Sequence, residues 1–432
     1  MRNNIVHSGA DKLTYEIRSI VAVAKKFEDA GLKIYWENIG DPVAKGEEVP
    51  EWIREIVSKT ALESSKSYAY SPTKGILATR EFLAEARNSK GGAKITPEDI
   101  LFFNGLGDAI SRVYANLNGN VRVIGPDPAY STHSSAEASH ASSPHITYKL
   151  DPANGWYPNL DDLRRQVAEN PAISGILIIN PDNPTGMVYP RHILEGMVRI
   201  AKQFGLFIIS DEIYSNLVYE GTMTDLGDVI GDVPGIALKG LSKEVPWPGA
   251  RCGWAEFYNT EKDPVFAAYI KSIVDAKMLE VCSTTLPQMV LPKIFSDPRY
   301  IPYRKEKNKH YKERADIACS ILSKVPGIMV NKPGGAFYLT IVFKEGILKP
   351  AQALEVTDPL LKKEVERITA GASLDKRFVY YLLAATGICT VPLSGFNSSL
   401  PGIRITLLES DQALFIDIFT RLAEAIERYL GS

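Results

Sequence analysis

Lys243 stands in Gly240-Leu241-Ser242-Lys243, with Arg251 eight residues on. Upstream of it, in order, come Asn104-Gly105-Leu106-Gly107, Asn180-Pro181-Asp182-Asn183-Pro184-Thr185-Gly186 and Ser210-Asp211-Glu212-Ile213-Tyr214. A primary amine condenses with a carbonyl once it sheds its proton. An acid can hold a cationic ring nitrogen, and a phenol and an amide can donate to a ring oxygen. A glycine turn opening a helix, together with a guanidinium, can receive a phosphate. Together these side chains offer what a phosphorylated pyridine aldehyde needs from a protein.

Ser-Lys by itself carries no weight, because it recurs at Ser58-Lys59, Ser65-Lys66, Ser89-Lys90 and Ser323-Lys324, where a solvated surface lysine is the plain reading. Lys243 differs in its strand-like lead-in, Gly235-Ile236-Ala237-Leu238-Lys239, and in the Pro248-Gly249-Ala250-Arg251-Cys252-Gly253-Trp254 that follows. In these motifs and their spacing the chain resembles the class I/II aminotransferases, which are fold-type-I pyridoxal-phosphate enzymes. The resemblance spans Gly40 to Arg404. It implies pyridoxal 5′-phosphate as cofactor and a ping-pong exchange of an amino group between an L-amino acid and a 2-oxo acid, with Lys243 as the condensing amine and as general base and acid.

The resemblance also assigns roles residue by residue. Asp211 would pair with the ring nitrogen, where opposite charges favour both ionised forms; the plain alternative is a helix N-cap after a strand. Asn183 and Tyr214 would donate to the ring's phenolic oxygen, although Asn and Pro also favour ordinary turns. Asn104, Gly105, Leu106, Gly107, Ser242 and Arg251 would hold the phosphate. Relatives usually carry a hydroxyl residue three before the lysine, whereas this chain has Gly240. Tyr130 would stack on the ring, the alternative being a core tyrosine. Tyr70, or its neighbour Tyr68, would reach the phosphate of a partner subunit, which implies a homodimer with shared active sites. Arg404, in Gly402-Ile403-Arg404-Ile405-Thr406, would grip the substrate carboxylate, and Gly40 would approach the substrate through its backbone.

Leu382-Leu383-Ala384-Ala385-Thr386-Gly387-Ile388-Cys389 leans towards the alanine-type relatives, while aspartate and aromatic types share the other motifs. A lyase on the same fold, eliminating a β- or γ-substituent, would use the same Lys243 and Arg404. Gly105-x-Gly107 after a strand also allows a nicotinamide-dependent oxidoreductase, but Asp108-Ala109-Ile110 lacks the third glycine of that fingerprint. A cofactor-binding regulator is a third reading, disfavoured because no DNA-binding segment precedes the first helix.

Composition narrows the class. With 49 Lys and Arg against 51 Asp and Glu, the formal charge is -2 and no basic block tracks a nucleic acid. Met1 to Arg18 lacks the apolar core of a secretory signal, and no run approaches the roughly 18 apolar residues of a membrane span, so a cytoplasmic protein is expected. Cys252, Cys282, Cys319 and Cys389 are scattered singly and read as reduced core residues. His133, His140 and His145 lack metal-ligand spacing, so no metal is expected.

These side chains need a frame to converge. Short β-branched runs recur at Ile100-Phe103, Val121-Ile124, Ile146-Leu150, Gly175-Ile179, Leu206-Ser210, Ile236-Lys239 and Cys252-Phe257, separated by helical patterns. That alternation predicts an α/β fold with a mostly parallel seven-stranded sheet and helices on both faces, its ligand at the strands' carboxyl ends. At 432 residues two domains are expected: 1–50 as a segment joining the small domain, 51–300 as the large cofactor-binding domain and 301–432 as a smaller α+β domain. A helix is expected over Leu13 to Ala30 and a long charged one from Tyr303 to Leu322. A closing helix would bury Phe415, Phe419, Leu422, Ile426 and Tyr429. Ser131 to Ser143 reads as helix or loop, and Lys344 to Lys376 as an insertion.

Overall fold

The structure, a computed structural model, describes residues 5–13 and 16–432. The runs of β-branched residues form one sheet because they are buried on both faces. In Ile173–Ile179, Ile176 and Ile178 pack with Leu194 and Met197 on one side. Leu177 and Ile179 pack with Ile110, Phe266 and Ile273 on the other. Two apolar layers at alternate positions of one strand are the signature of a sheet sandwiched between helices.

All seven expected strands belong to this sheet. With a short first strand β1 (Tyr35–Trp36) lying elsewhere, they are β2 (Ile100–Phe103), β3 (Arg122–Asp127), β4 (Thr147–Asp151), β6 (Ile173–Ile179), β7 (Phe207–Asp211), β8 (Gly235–Gly240) and β9 (Gly253–Tyr258). An eighth, β5 (Tyr157–Pro158), adds a two-residue reversed edge. The order is β2-β9-β8-β7-β6-β3-β4-β5, parallel from β8 through β4, with β9 reversed between β8 and β2. Asn180 follows β6, Asp211 closes β7, and Lys243 lies three residues past β8, so all three gather at the carboxyl ends of adjacent strands.

The remaining strands, β10 (Ile328–Val330), β11 (Tyr338–Phe343), β12 (Ile388–Cys389), β13 (Val391–Pro392) and β14 (Gly402–Thr406), build two small sheets. One is antiparallel, ordered β10-β11-β14-β13; the other pairs β1 with β12. Gly387 makes the second pairing possible. It ends the helix Leu374–Thr386 at φ 74, in the left-handed region, and its carbonyl accepts the Tyr35 N–H at 2.8 Å. The long helix begins earlier than expected, at Tyr300, and runs to Leu322; the first helix is Glu16–Asp29. The closing helix Gln412–Leu430 buries all five residues of its apolar stripe. Ser131–Ala141 is helical, and the 344–376 stretch contains the helix Pro359–Thr369. All four cysteines are free; Cys252 and Cys389 are buried, whereas Cys282 and Cys319 are only half-buried rather than core.

Candidate active site

The carboxyl ends of β6, β7 and β8 open onto a cavity of about 380 Å³. Lys243 lies in it, its Nζ donating to the Gly40 carbonyl at 2.6 Å. Burial pushes this amine down from the ordinary 10.5 to about 8; Asp41 and Asp211 oppose the shift, while the cations Arg404 and Arg251 add to it. A lysine near neutrality can act both as nucleophile and as proton carrier.

Asp211 is buried, and its carboxylate is committed on both oxygens. Oδ1 accepts the Ile213 N–H at 3.1 Å, and Oδ2 lies 3.0 Å from Nε2 of a fully buried His133, whose Nδ1 is 3.4 Å from the Tyr114 hydroxyl. The sequence reading weighs His133 only as a metal ligand, not as a partner of Asp211. The available signal was its place three residues after Tyr130, a spacing that puts both on one face of a helix. Tyr130 lines the cavity, its ring 6.4 Å from that of His133 at 72°.

The Asn180-to-Gly186 heptad largely folds itself. Asp182 Oδ2 accepts from the Thr185 N–H at 3.0 Å and its hydroxyl at 2.5 Å, and burial pushes this carboxyl up to about 7. Asn180 Oδ1 accepts the Tyr189 N–H at 2.9 Å. Asn183 is left to line the cavity, with its buried Oδ1 lacking a partner. Tyr214 also lines it, with its hydroxyl 2.9 Å from that of Tyr338, a second cavity residue that sequence reasoning missed. Tyr338 sits on β11, an element with no motif of its own.

Gly105, at φ 82, opens the helix Leu106–Ala115, and a Cβ there would strike the Arg251 guanidinium. Arg251 in turn donates to the carbonyls of Asn104 at 3.2 Å and Pro248 at 3.1 Å. Leu106, Gly107 and Ser242 line the cavity beside it. The Asn104 side chain does not reach this wall: Oδ1 accepts the Thr284 N–H at 3.0 Å and Nδ2 donates to Glu280. Its part here is the carbonyl that holds Arg251. Gly240 has a packing reason, since a Cβ would come within 2.9 Å of the Cys252 carbonyl oxygen and of Leu106 Cδ1. Leu106 thus fills the space that a side chain at 240 would need.

Arg404, on β14, is buried and lines the cavity. Its Nη2 donates to the Asn38 carbonyl at 2.5 Å, its Nε has no partner, and its guanidinium lies 4.5 Å from the centre of the Tyr338 ring. Gly40 lines the cavity so close to the Tyr338 hydroxyl that no Cβ would fit. Tyr70 and Tyr68 stand apart from the cavity, 85% and 78% exposed. Among the described residues there is no metal-ligating cluster, and no helix is long and apolar enough to cross a membrane.

Comparison with known proteins shows the family to which the chain belongs. The chain is 55% identical over 431 residues to an uncharacterized aminotransferase of Methanocaldococcus jannaschii, covering all of both chains. It is 29% identical to the glutamate-pyruvate aminotransferase AlaA of Escherichia coli K12, over 77% of this chain and 81% of that one. The structure of an alanine aminotransferase from Pyrococcus furiosus superposes with a TM-score of 0.84 at 27% identity, covering 98% of this chain and all of the other. The sequence profile named aminotransferase class I and II matches residues 38–414. Enzymes of that class move amino groups between amino acids and 2-oxo acids, in general with pyridoxal phosphate, and this chain is an aminotransferase belonging to that family.

Proposed function

We propose that this aminotransferase uses pyridoxal 5′-phosphate in the described cavity and exchanges an amino group between alanine-type L-amino acids and 2-oxo acids in two half-reactions. The observation that carries the reading is the Lys243 amine, held near neutrality by burial in a cavity that also contains Asp211, Arg251 and Arg404. The donor set fits the cofactor. Asn183 and Arg404 hold buried polar atoms without protein partners, and Gly105 leaves room for Arg251 against the start of a helix whose first-turn amides have no partner inside it. Asp211 would pair with the ring nitrogen, and Asn183 and Tyr214 with the phenolic oxygen, with Tyr130 as aromatic wall. Gly105, Leu106, Gly107, Ser242 and Arg251 would take the phosphate. The Asn104 side chain, committed to Thr284 and Glu280, contributes through Arg251.

When bound, the cofactor supplies an electron sink that makes the amino acid's Cα proton acidic. Lys243 Nζ would take that proton and carry it as general base and acid within the cavity, and Arg404 would grip the α-carboxylate with its planar fork. Gly40, held against Tyr338, brings backbone rather than side chain to the substrate. The names of AlaA and of the Pyrococcus enzyme make alanine, glutamate and pyruvate the first candidates.

The active unit in this reading is a homodimer. Tyr68, Tyr70, Met278, Leu279 and Val281 are all exposed. Their two loops are tied together by Thr73 donating to the Val281 carbonyl at 2.9 Å and Thr285 to the Ala69 carbonyl at 2.7 Å. Such an apolar face is a docking surface, from which Tyr70, or Tyr68, would reach the partner's phosphate. The pairing of β1 with β12 supports joining residues 1–50 to a small domain of 301–432 beside a large one of 51–300. Four unpaired cysteines suit a reducing cytoplasm. A donor-by-acceptor screen on the purified protein, with its mass in solution, tests the reading. Alanine with 2-oxoglutarate, or glutamate with pyruvate, should be converted by a dimer. Keto acid released without any acceptor would point to elimination instead.

A further inference from the structure

One face of the helix Tyr300–Leu322 is aimed at the peptide of Lys243. Tyr300 donates to the Glu244 carboxylate at 3.1 Å, and Tyr303 to the Glu244 carbonyl at 3.3 Å. Lys307 is buried, and its Nζ donates to the carbonyls of Lys243 at 3.0 Å and Glu244 at 3.1 Å. Positions 300, 303 and 307 share a helix face. The same ammonium lies 2.7 Å from Glu47 Oε1, and Tyr311, one turn on, donates to Glu47 Oε2 at 2.9 Å. Glu47 closes a tight loop that begins at Gly40, the residue whose carbonyl receives the Lys243 amine. Within it Asp41 Oδ1 accepts from Val43 at 3.0 Å and Ala44 at 3.2 Å, and the Glu47 N–H donates to the Pro42 carbonyl at 2.9 Å. The contacts form a circuit: Lys243 amine to Gly40, along the loop to Glu47, across to Lys307, and back to the carbonyl of Lys243.

An apolar side chain would fill a buried helix position at less cost than an ammonium, which must recover its lost hydration through partners. Here all three N–H donors of Lys307 have acceptors, two of them the carbonyls that frame Lys243. We propose that Lys307 is a positioning residue for transamination, locking the Lys243 peptide and the 40–47 loop in one register so that water stays out of the cavity around the reacting amine. The proposal rests on the reading that Lys243 is that amine. The charged groups facing Lys243 are Asp41, Asp211, Arg251 and Arg404, and the titratable groups around Lys307 are Glu47, Glu244, Tyr303 and Tyr311. Because burial is the largest influence on Lys243, loosening the loop returns its amine towards the ordinary value.

The test compares Lys307→Met and Lys307→Arg with the unaltered enzyme. In cofactor-free protein, Lys243 is labelled with acetic anhydride across pH and read by peptide mass spectrometry; in holoenzyme, kcat and KM are measured for the amino-acid half-reaction. In Lys307→Met the labelling midpoint should rise by about one pH unit or more. Its kcat should fall about tenfold, with KM changed less than about threefold. Lys307→Arg should recover both. A wild-type midpoint and kcat in Lys307→Met, or losses that arginine does not recover, would overturn the proposal. If Lys307→Met does not fold, Glu47→Gln, cutting the circuit from the loop side, must shift both readouts in the same directions or the proposal fails. A wild-type chain with no transaminase activity would remove the underlying reading along with it.

Discussion

His133 Nε2 and Asp211 Oδ2 lie 3.0 Å apart, both residues buried, with the far side of the imidazole against Tyr114. In the proposed role Asp211 would face a cationic ring and would keep its orientation only if its other contacts are fixed, and this imidazole fixes one of them. In His133→Phe, which keeps the aromatic bulk, the lost hydrogen bond to a charged group is worth about 1.5–3 kcal/mol. The expected outcome is a folded enzyme whose half-reaction is slower by roughly ten- to a hundredfold. Rapid-mixing spectra of the amino-acid half-reaction measure it; an unchanged rate would mean that Asp211 needs no such support.

Arg404→Lys separates substrate binding from cofactor binding. Lysine keeps the charge but loses the planar fork, so KM for the amino acid should rise roughly ten- to a hundredfold. Cofactor content by absorbance should be unchanged. Equal loss of both would place Arg404 outside the carboxylate site.

Gly240→Ser introduces the hydroxyl that the family resemblance leads one to expect three residues before Lys243, yet this chain should not profit. The new Cβ meets the Cys252 carbonyl oxygen and Leu106 Cδ1 at 2.9 Å and Ile213 Cδ1 at 3.2 Å. Overpacking of that kind costs about 1–3 kcal/mol. Urea unfolding should show the loss, and Leu106→Ala in the same chain should recover part of it. A serine variant as stable as the parent would show that Leu106 yields freely.

Lys243 also makes stability depend on pH. The unfolded chain holds this proton up to about 10.5, whereas the folded, cofactor-free chain releases it near 8. Between those values the unfolded state binds more protons, so stability rises with pH across the window. Below about 8 the buried amine costs up to ~3 kcal/mol, an upper bound because part of the side chain faces the cavity. Cofactor-free Lys243→Met should therefore melt above the parent at pH 7, with the gap closing as pH approaches 10.5. A gap independent of pH would place the penalty in packing rather than in charge.

Much of this site is legible in the sequence because its residues sit at strand ends. Asn183 and Lys243 follow, and Asp211 ends, strands whose β-branched runs are plain, and a doubly wound sheet brings such ends together. Residues that act from elsewhere are not marked in this way. Tyr338 lies within a strand of a different sheet, and His133 in a serine- and alanine-rich helix without a clear apolar face. Asn104 shows the limit of a motif: its turn opens onto the cavity, but Thr284 and Glu280, about 180 residues away, claim its side chain. The two-residue strand β5 exists only through its partner β4, and no local periodicity announces it.

Arg404 reaches the Asn38 carbonyl across 366 positions of sequence. The cavity wall is thus stitched from the two ends of the polypeptide, while Lys243 emerges from the ribosome long before the arginine that will face it. Closing so long a stretch of chain costs conformational entropy before the contact rewards it. A chain stopped before β14 would therefore lack the Arg404 side of this cavity, however well its large sheet had formed.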